Sequence, residues 1–254
     1  MWNGSMHVYL SPHNDDVCFS IAHIASRFRG DLVNLFTRSC YVAVNIELPS
    51  DEEERIEVIS QLRRQEDQLF TEAAGLVRHD LGLSEPALIG YGPFDLTDVK
   101  SEAGALSERL IPFLSSMLPA EGDPSAASLY CPIGIGGHRN HLSTLLAVRN
   151  ACDDLSRRCT VFLYEDLPYA NDPRARQNGL RRAATLFGAT FGATQLSPIV
   201  FPIDSDDAQR KMGFIRLYAT QHRHVPGMVE FTPASGRVEG LHEIVWKVLP
   251  SIGV

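Results

Sequence analysis

Short apolar runs recur along this chain, and each is followed by a longer segment whose apolar residues fall near helical spacing. That alternation is the strongest constraint on the fold, because adjacent parallel strands need long crossover connections and a helix is the usual one. His7–Ser11, Leu32–Thr37, Pro86–Tyr91, Ser128–Pro132 and Thr160–Tyr164 read as strands. Helices are predicted from about Asp16 to Arg29, Asp51 to Leu76, Glu102 to Leu118, Asn140 to Leu155 and Asp206 to Gln221. Leu241–Leu249 reads as helix or strand, and the rhythm loosens after Pro173. The pattern specifies an α/β fold with a largely parallel sheet. With no internal repeat, residues 1–254 read as a single domain.

Composition narrows the partners. Lys and Arg number 23 against 31 Asp and Glu, a formal charge of -8, which is a poor electrostatic match for nucleic acid or an anionic membrane. No stretch reaches the ~18 apolar residues of a membrane span, and Met1–Leu10 lacks the features of a signal peptide. The five cysteines are scattered and form no C-x-x-C pair, so neither a disulfide framework nor a thiolate zinc site is expected. Reduced thiols point to the cytoplasm.

In parallel α/β sheets ligands bind beyond the carboxyl ends of the strands, which directs attention to three loops. The first, Ser11-Pro12-His13-Asn14-Asp15-Asp16, lacks the glycines of a dinucleotide or Walker-type phosphate loop. His13 and Asp16, three apart at a strand-to-helix turn, can face one centre and form an N,O half-site for a borderline metal such as zinc. Asp15 is then a second carboxylate suited to act as general base. Acidic residues in a helix's first turn also stabilise the helix dipole, and that alternative stands beside the metal reading.

The second loop, Ile133-Gly134-Ile135-Gly136-Gly137-His138-Arg139-Asn140-His141, holds a His-x-x-His pair, and its glycines allow close backbone approach to a ligand. Adding His141 to His13 and Asp16 makes three protein ligands with one open position, the count of a catalytic zinc site. His138 is then free to donate a hydrogen bond to an oxyanion. The third loop, Tyr91–Asp98, carries Asp95, which either accepts from sugar hydroxyls or serves as an ordinary turn residue.

Pro12-His13-Asn14-Asp15-Asp16 together with His138-Arg139-Asn140-His141 resembles the PIG-L/LmbE-like family of zinc-dependent N-deacetylases, whose patterns are Pro-His-Pro-Asp-Asp and His-x-Asp-His. Supporting matches are Arg63-Arg64-Gln65-Glu66 before Ala73-Ala74-Gly75, Tyr164–Tyr169, and Tyr218 with Gln221, so the likeness spans about the first 220 residues. The resemblance implies a Rossmann-like sheet with helices on both faces and the metal site at the carboxyl ends of the strands. It implies one Zn2+ per chain, or another divalent transition metal, on His13, Asp16 and His141. Asp15 would be the general base and His138 the oxyanion donor. Acetyl would be removed from a small-molecule N-acetyl amino sugar or glycoconjugate, N-acetylglucosamine being the usual type. Arg63 or Arg64 resembles the position that reaches substrate oxygens.

Two positions depart from the pattern: Asn14 replaces a Pro and Asn140 replaces the Asp. A neutral amide orients a ring without raising its pKa, so His138 is expected as a neutral donor, with Asp15 carrying the proton. The rival reading is a non-catalytic sugar- or nucleotide-binding α/β domain on the same scaffold. A metal-dependent hydrolase of another bond is a second rival. Glu165 and Asp166 either support a ligand histidine or begin a turn, and the cluster His222, Arg223 and His224 reads as a surface loop or the mouth of the site. His7, His23, His79 and His242 read as structural, and a homo-oligomer is compatible with all of this.

Overall fold

The computed structural model describes residues 5–188, 196–222, 230–234 and 239–249. Its chain begins with β1 (Met6–Ser11), α1 (Asp16–Phe28), β2 (Gly30–Asn34), α2 (Glu52–Ala74) and β3 (Leu76–Asp80). It continues through α3 (Val99–Met117), β4 (Ala127–Pro132), α4 (Arg139–Asn150), α5 (Cys152–Leu155), β5 (Thr160–Tyr164) and α6 (Pro173–Gly188). It closes with β6 (Leu196–Pro202), α7 (Ser205–Ile215) and β7 (His242–Val248).

These strands form one seven-stranded sheet in the order β3-β2-β1-β4-β5-β7-β6. The first five pair in parallel, while β7 runs antiparallel to both β5 and β6. The largely parallel α/β architecture read from the sequence is what the chain adopts. Strand alternation sorts side chains onto two faces. Val8, Leu10, Leu129, Cys131, Val161 and Leu163 join one core with α3, α4 and α6. Tyr9, Tyr130, Phe162 and Tyr164 join the other, against α1, α2 and α7. On that second face Tyr9, Tyr130 and Phe162 occupy paired rungs of β1, β4 and β5, with stacked rings 4.6 and 5.2 Å apart. The chain order reverses between β1 and β4, so the loops leaving those two strands open a crevice at the carboxyl edge.

Several sequence expectations move. Pro86–Ile89 is a short 3-10 turn rather than a strand, with Pro86, which lacks an N–H for a ladder, in its first turn. The third strand is β3, hidden in the sequence because its Arg78, His79 and Asp80 are polar; it lies at the sheet's edge, where one side is solvated. The long helix ends at Gly75, which takes the left-handed conformation (φ 72°) and lets the chain enter β3 directly. Leu241–Leu249 resolves as the strand β7, and Asn140–Leu155 divides into α4 and α5. The sequence reading missed α6 and β6.

Helix α1 breaks at Ile21 (φ -138°, ψ 34°), which separates the turn carrying Asp16 from the rest of the helix. The fully buried Glu243 on β7 accepts from the backbone N–H groups of His23 and Ile24, at 3.0 and 2.9 Å. Lys211 of α7, also fully buried, pairs with Glu243 at 2.8 Å and donates to the Ser20 carbonyl at 3.2 Å. Removing one partner of a buried pair leaves the other charge uncompensated. Lys211→Ala is therefore expected to lower the unfolding free energy by about 3–5 kcal/mol in equilibrium urea denaturation.

Candidate active site

The turn after β1 brings Ser11–Asp16 under the loop that follows β4. Asp16 accepts from the His13 backbone N–H at 2.7 Å and faces His13 Nδ1 with the same oxygen at 3.0 Å. Its other oxygen lies 3.2 Å from His141 Nε2, so one carboxylate bridges the two loops of the crevice. Two sets of three donors, His13/His138/His141 and His13/Asp15/Asp16, have ligand atoms within 4.8 Å of one another. Asp15 is the residue before α1, yet its side chain makes no capping hydrogen bond. Helix capping therefore does not account for that carboxylate.

The far nitrogens of the histidines are held from behind. His141 Nδ1 meets Asp166 Oδ1 at 2.6 Å, and the other oxygen of Asp166 accepts from the Ile135 N–H. His13 Nε2 meets Asn140 Oδ1 at 3.0 Å. His138 is the residue before α4, and its Nδ1 accepts from the Asn140 N–H at 3.3 Å. A neutral His138 ring therefore carries its proton on Nε2. The sequence reading had Asn140 orienting His138; the structure turns its side chain to His13 instead, because α4 starts at Arg139 and carries the Asn140 amide back toward the β1 loop.

Burial works against charge on all of these groups, and their contacts decide the outcome. His13 is raised because the charge and hydrogen bond of Asp16 outweigh burial, and Asp16 and Asp166 carry His141 up to about 10. Burial raises Asp16 less than the two imidazoles lower it, and its carboxyl ends well below the usual carboxylate range. Burial and the neighbouring His13 and His141 push His138 down to about 2, so it is neutral. Burial raises Asp15, and Arg63 offsets this only in part. One carboxylate oxygen turned to each of two imidazoles is an arrangement that can hold a divalent cation once the rings give up their protons. Two imidazoles and a carboxylate are also the donor set that suits zinc and its divalent neighbours.

His13, Asp15, Asp16 and His138 line a cavity of about 610 Å3, a size suited to a small-molecule ligand. Phe94, Tyr169 and Tyr41 form aromatic walls, and Gln221, His222 and Glu230 also line it. Arg63 is in the wall but already engaged: it reaches Asp15 at 3.2 Å, Glu85 at 2.5 Å and Ser39 Oγ at 2.9 Å. Arg64, one residue on, points from the other side of α2, half exposed, toward Asp80 at 3.4 Å, and is not part of the cavity wall. The helical turn of 100° per residue separates the two. Asp95 likewise stays outside the wall; its carboxylate accepts from the Thr97 N–H at 2.9 Å and shapes its own turn.

Glu165 pairs with Arg176 at 2.6 Å and accepts from Trp246, a structural role that separates it from Asp166. Gly136 (φ 84°) makes room for a ring rather than a ligand: a Cβ there would lie 2.5 Å from Tyr169. His7, His23, His79 and His242 lie outside the cavity wall. Arg223 and His224 lie outside the described residues. Sequence reasoning missed Glu85, Ser39 and Glu102, which become neighbours of the site only through folding and carry no local motif.

No protein-family model matches the chain. Over 226 residues it is 30% identical to the 2'-N-acetylparomamine deacetylase of Streptomyces fradiae, covering 84% of this chain and 72% of that protein. In fold it is similar to a deacetylase solved in complex with teicoplanin, with a TM-score of 0.66 at 15% identity over 98% of this chain and 100% of the other. It is also similar to the A40926 pseudoaglycone deacetylase, with a TM-score of 0.60 at 19% identity over 97% and 98%. The chain belongs to the LmbE/PIG-L type of deacetylases, which are hydrolases. No helix among the described residues is long and apolar enough to cross a membrane.

The two arginines separate experimentally. Arg64→Ala is expected to change stability by no more than about 0.5 kcal/mol. Arg63→Ala, which strands the Asp15 and Glu85 carboxylates without their shared cation, is expected to cost about 3–5 kcal/mol in urea unfolding.

Proposed function

We propose that this chain hydrolyses the acetamide of a small N-acetylated amino sugar or glycoconjugate, releasing acetate and a free amine. The observation that carries the reading is Asp16, on the wall of a cavity that also presents His13, Asp15 and His138, bridging His13 to the buried His141. Membership of a deacetylase family supports the same bond.

His13, Asp16 and His141 would hold one zinc or a similar divalent transition ion, since the two oxygens of Asp16 each face one of these histidines. Such an ion supplies Lewis acidity to the acetyl carbonyl and to the nucleophilic water. Asp15, its carboxyl raised by burial and steadied by Arg63, accepts the proton of that water as the oxygen attacks the carbonyl carbon. Neutral His138 donates from Nε2 to the oxygen that gains negative charge. As the C–N bond breaks, Asp15 returns its proton to the leaving nitrogen, and acetate departs. Arg63 acts here by positioning Asp15, and Phe94 and Tyr169 offer apolar faces to the C–H side of a sugar ring.

Acetate release from a panel of N-acetyl amino sugars, measured beside metal content per chain, tests the reading. His141→Ala is expected to lose both metal and turnover. Asp15→Ala is expected to keep the metal and lose activity by about 100- to 10,000-fold. His138→Ala is expected to lower turnover by about 100- to 1,000-fold. Full metal occupancy in His141→Ala, or no acetate from any member of the panel, would overturn it.

A further inference from the structure

The residue that departs from the acidic family pattern, Asn140, is fully buried and is held at both ends of its amide. One end lies 3.2 Å from Glu102 Oε1 and the other 3.0 Å from His13 Nε2. An asparagine amide can in principle face either way, and Glu102 decides between the two. A carboxylate only accepts, so the Asn140 NH2 must turn to Glu102, which leaves the amide oxygen facing His13. That oxygen also only accepts, so His13 must carry a hydrogen on Nε2.

Glu102 is itself fixed. Arg139 pairs with it, donates to the Asp95 and Thr97 carbonyls at 2.8 and 2.5 Å, and stacks its guanidinium 3.8 Å from the centre of the Tyr91 ring. Arg139 and Asn140 both donate to Glu102, and His13 donates to Asn140, so the hydrogen bonds from either side converge on the Glu102 carboxylate.

We infer that Asn140, oriented by Glu102, is a positioning residue that holds a hydrogen on Nε2 of the His13 ring and so leaves Nδ1, the nitrogen that faces Asp16, as the one able to ligate once its own proton is released. The role of His13 as a ligand rests on the function proposed above; the ring orientation rests only on the contacts. At this position the chain places a neutral acceptor behind His13. His141 is backed by an anion, Asp166, and His13 by a neutral acceptor, so the two rings are oriented without placing a second carboxylate behind the site. Outer partners of this kind govern metal affinity as well as geometry.

Two measurements test this. In metal-free protein labelled with 15N, the His13 ring is expected to show an Nε2–H that exchanges slowly with solvent. Asn140→Leu removes the acceptor and should lose that protection, whereas Asn140→Asp, still an acceptor, should retain it. Glu102→Gln, which can donate as well as accept, should release the amide and weaken protection without emptying the position. In chelator competition, Asn140→Leu is expected to bind zinc about 10- to 100-fold more weakly than the wild type, with Asn140→Asp restoring the affinity. A bare Nε2 on His13 in the wild type, or the same exchange rate and affinity in Asn140→Leu, overturns the inference. A wild-type chain that takes up no metal would remove the deacetylase reading alone, because the ring-proton measurement decides the role of Asn140 without it.

Discussion

Asp16 touches two imidazoles, His13 and His141, that are 128 residues apart in the chain, and the site exists only because β1 and β4 lie side by side. Parallel pairing of those strands brings their carboxyl ends to one edge, and the reversal of strand order between them leaves a gap into which both loops turn. The carboxylate is buried, so its charge is tolerable only while His13 and His141 remain against it. Everything else around the centre serves to hold those contacts: Asp166 behind one ring, Asn140 behind the other, and the kink of α1 that lets Asp16 start a helix without following its later course.

The same rule governs the outer groups. Arg63 is buried between Asp15 and Glu85, and Ser39 ties Glu85 to the loop after β2 at 2.6 Å. Both terminal nitrogens of the guanidinium are taken by these partners and its Nε is buried, so the cation has little left to offer a substrate, and its chemical contribution is to set the position and proton affinity of Asp15. Lys211 and Glu243 form a second buried pair below α1, where the two carboxylate oxygens take up N–H groups that the broken helix leaves free. In both places a charge is kept inside the protein by hydrogen bonds from several elements, and each such cluster ties the site to the core.

Much of the fold was legible because its signals are local. The apolar runs at β1, β4 and β5 are buried on both faces and stand out as continuous hydrophobic stretches, as central parallel strands should. At the edges the same signal fails. β3 has polar residues because water covers part of it, and Pro86–Tyr91 imitated a strand through composition while its proline favoured a turn. α6 is rich in arginine and buries only Gly179, Ala183 and Phe187, so few apolar residues mark it, although those it has share one face.

For the site, the division follows from distance along the chain. His13, Asp15 and Asp16, and likewise His138 and His141, sit in short motifs at strand ends, so residue type and spacing alone marked them as chemically capable. The sequence also determined the α/β class, since helical and strand periodicities depend only on neighbouring residues. It did not decide between Arg63 and Arg64, or between Glu165 and Asp166, because adjacent residues differ in direction and only packing says which way the centre lies. Nor did it show Glu85 beside Arg63 or Glu102 beside Asn140. Those partners come from separate elements, and their effect appears only when folding removes water and leaves each buried charge to find a counterpart.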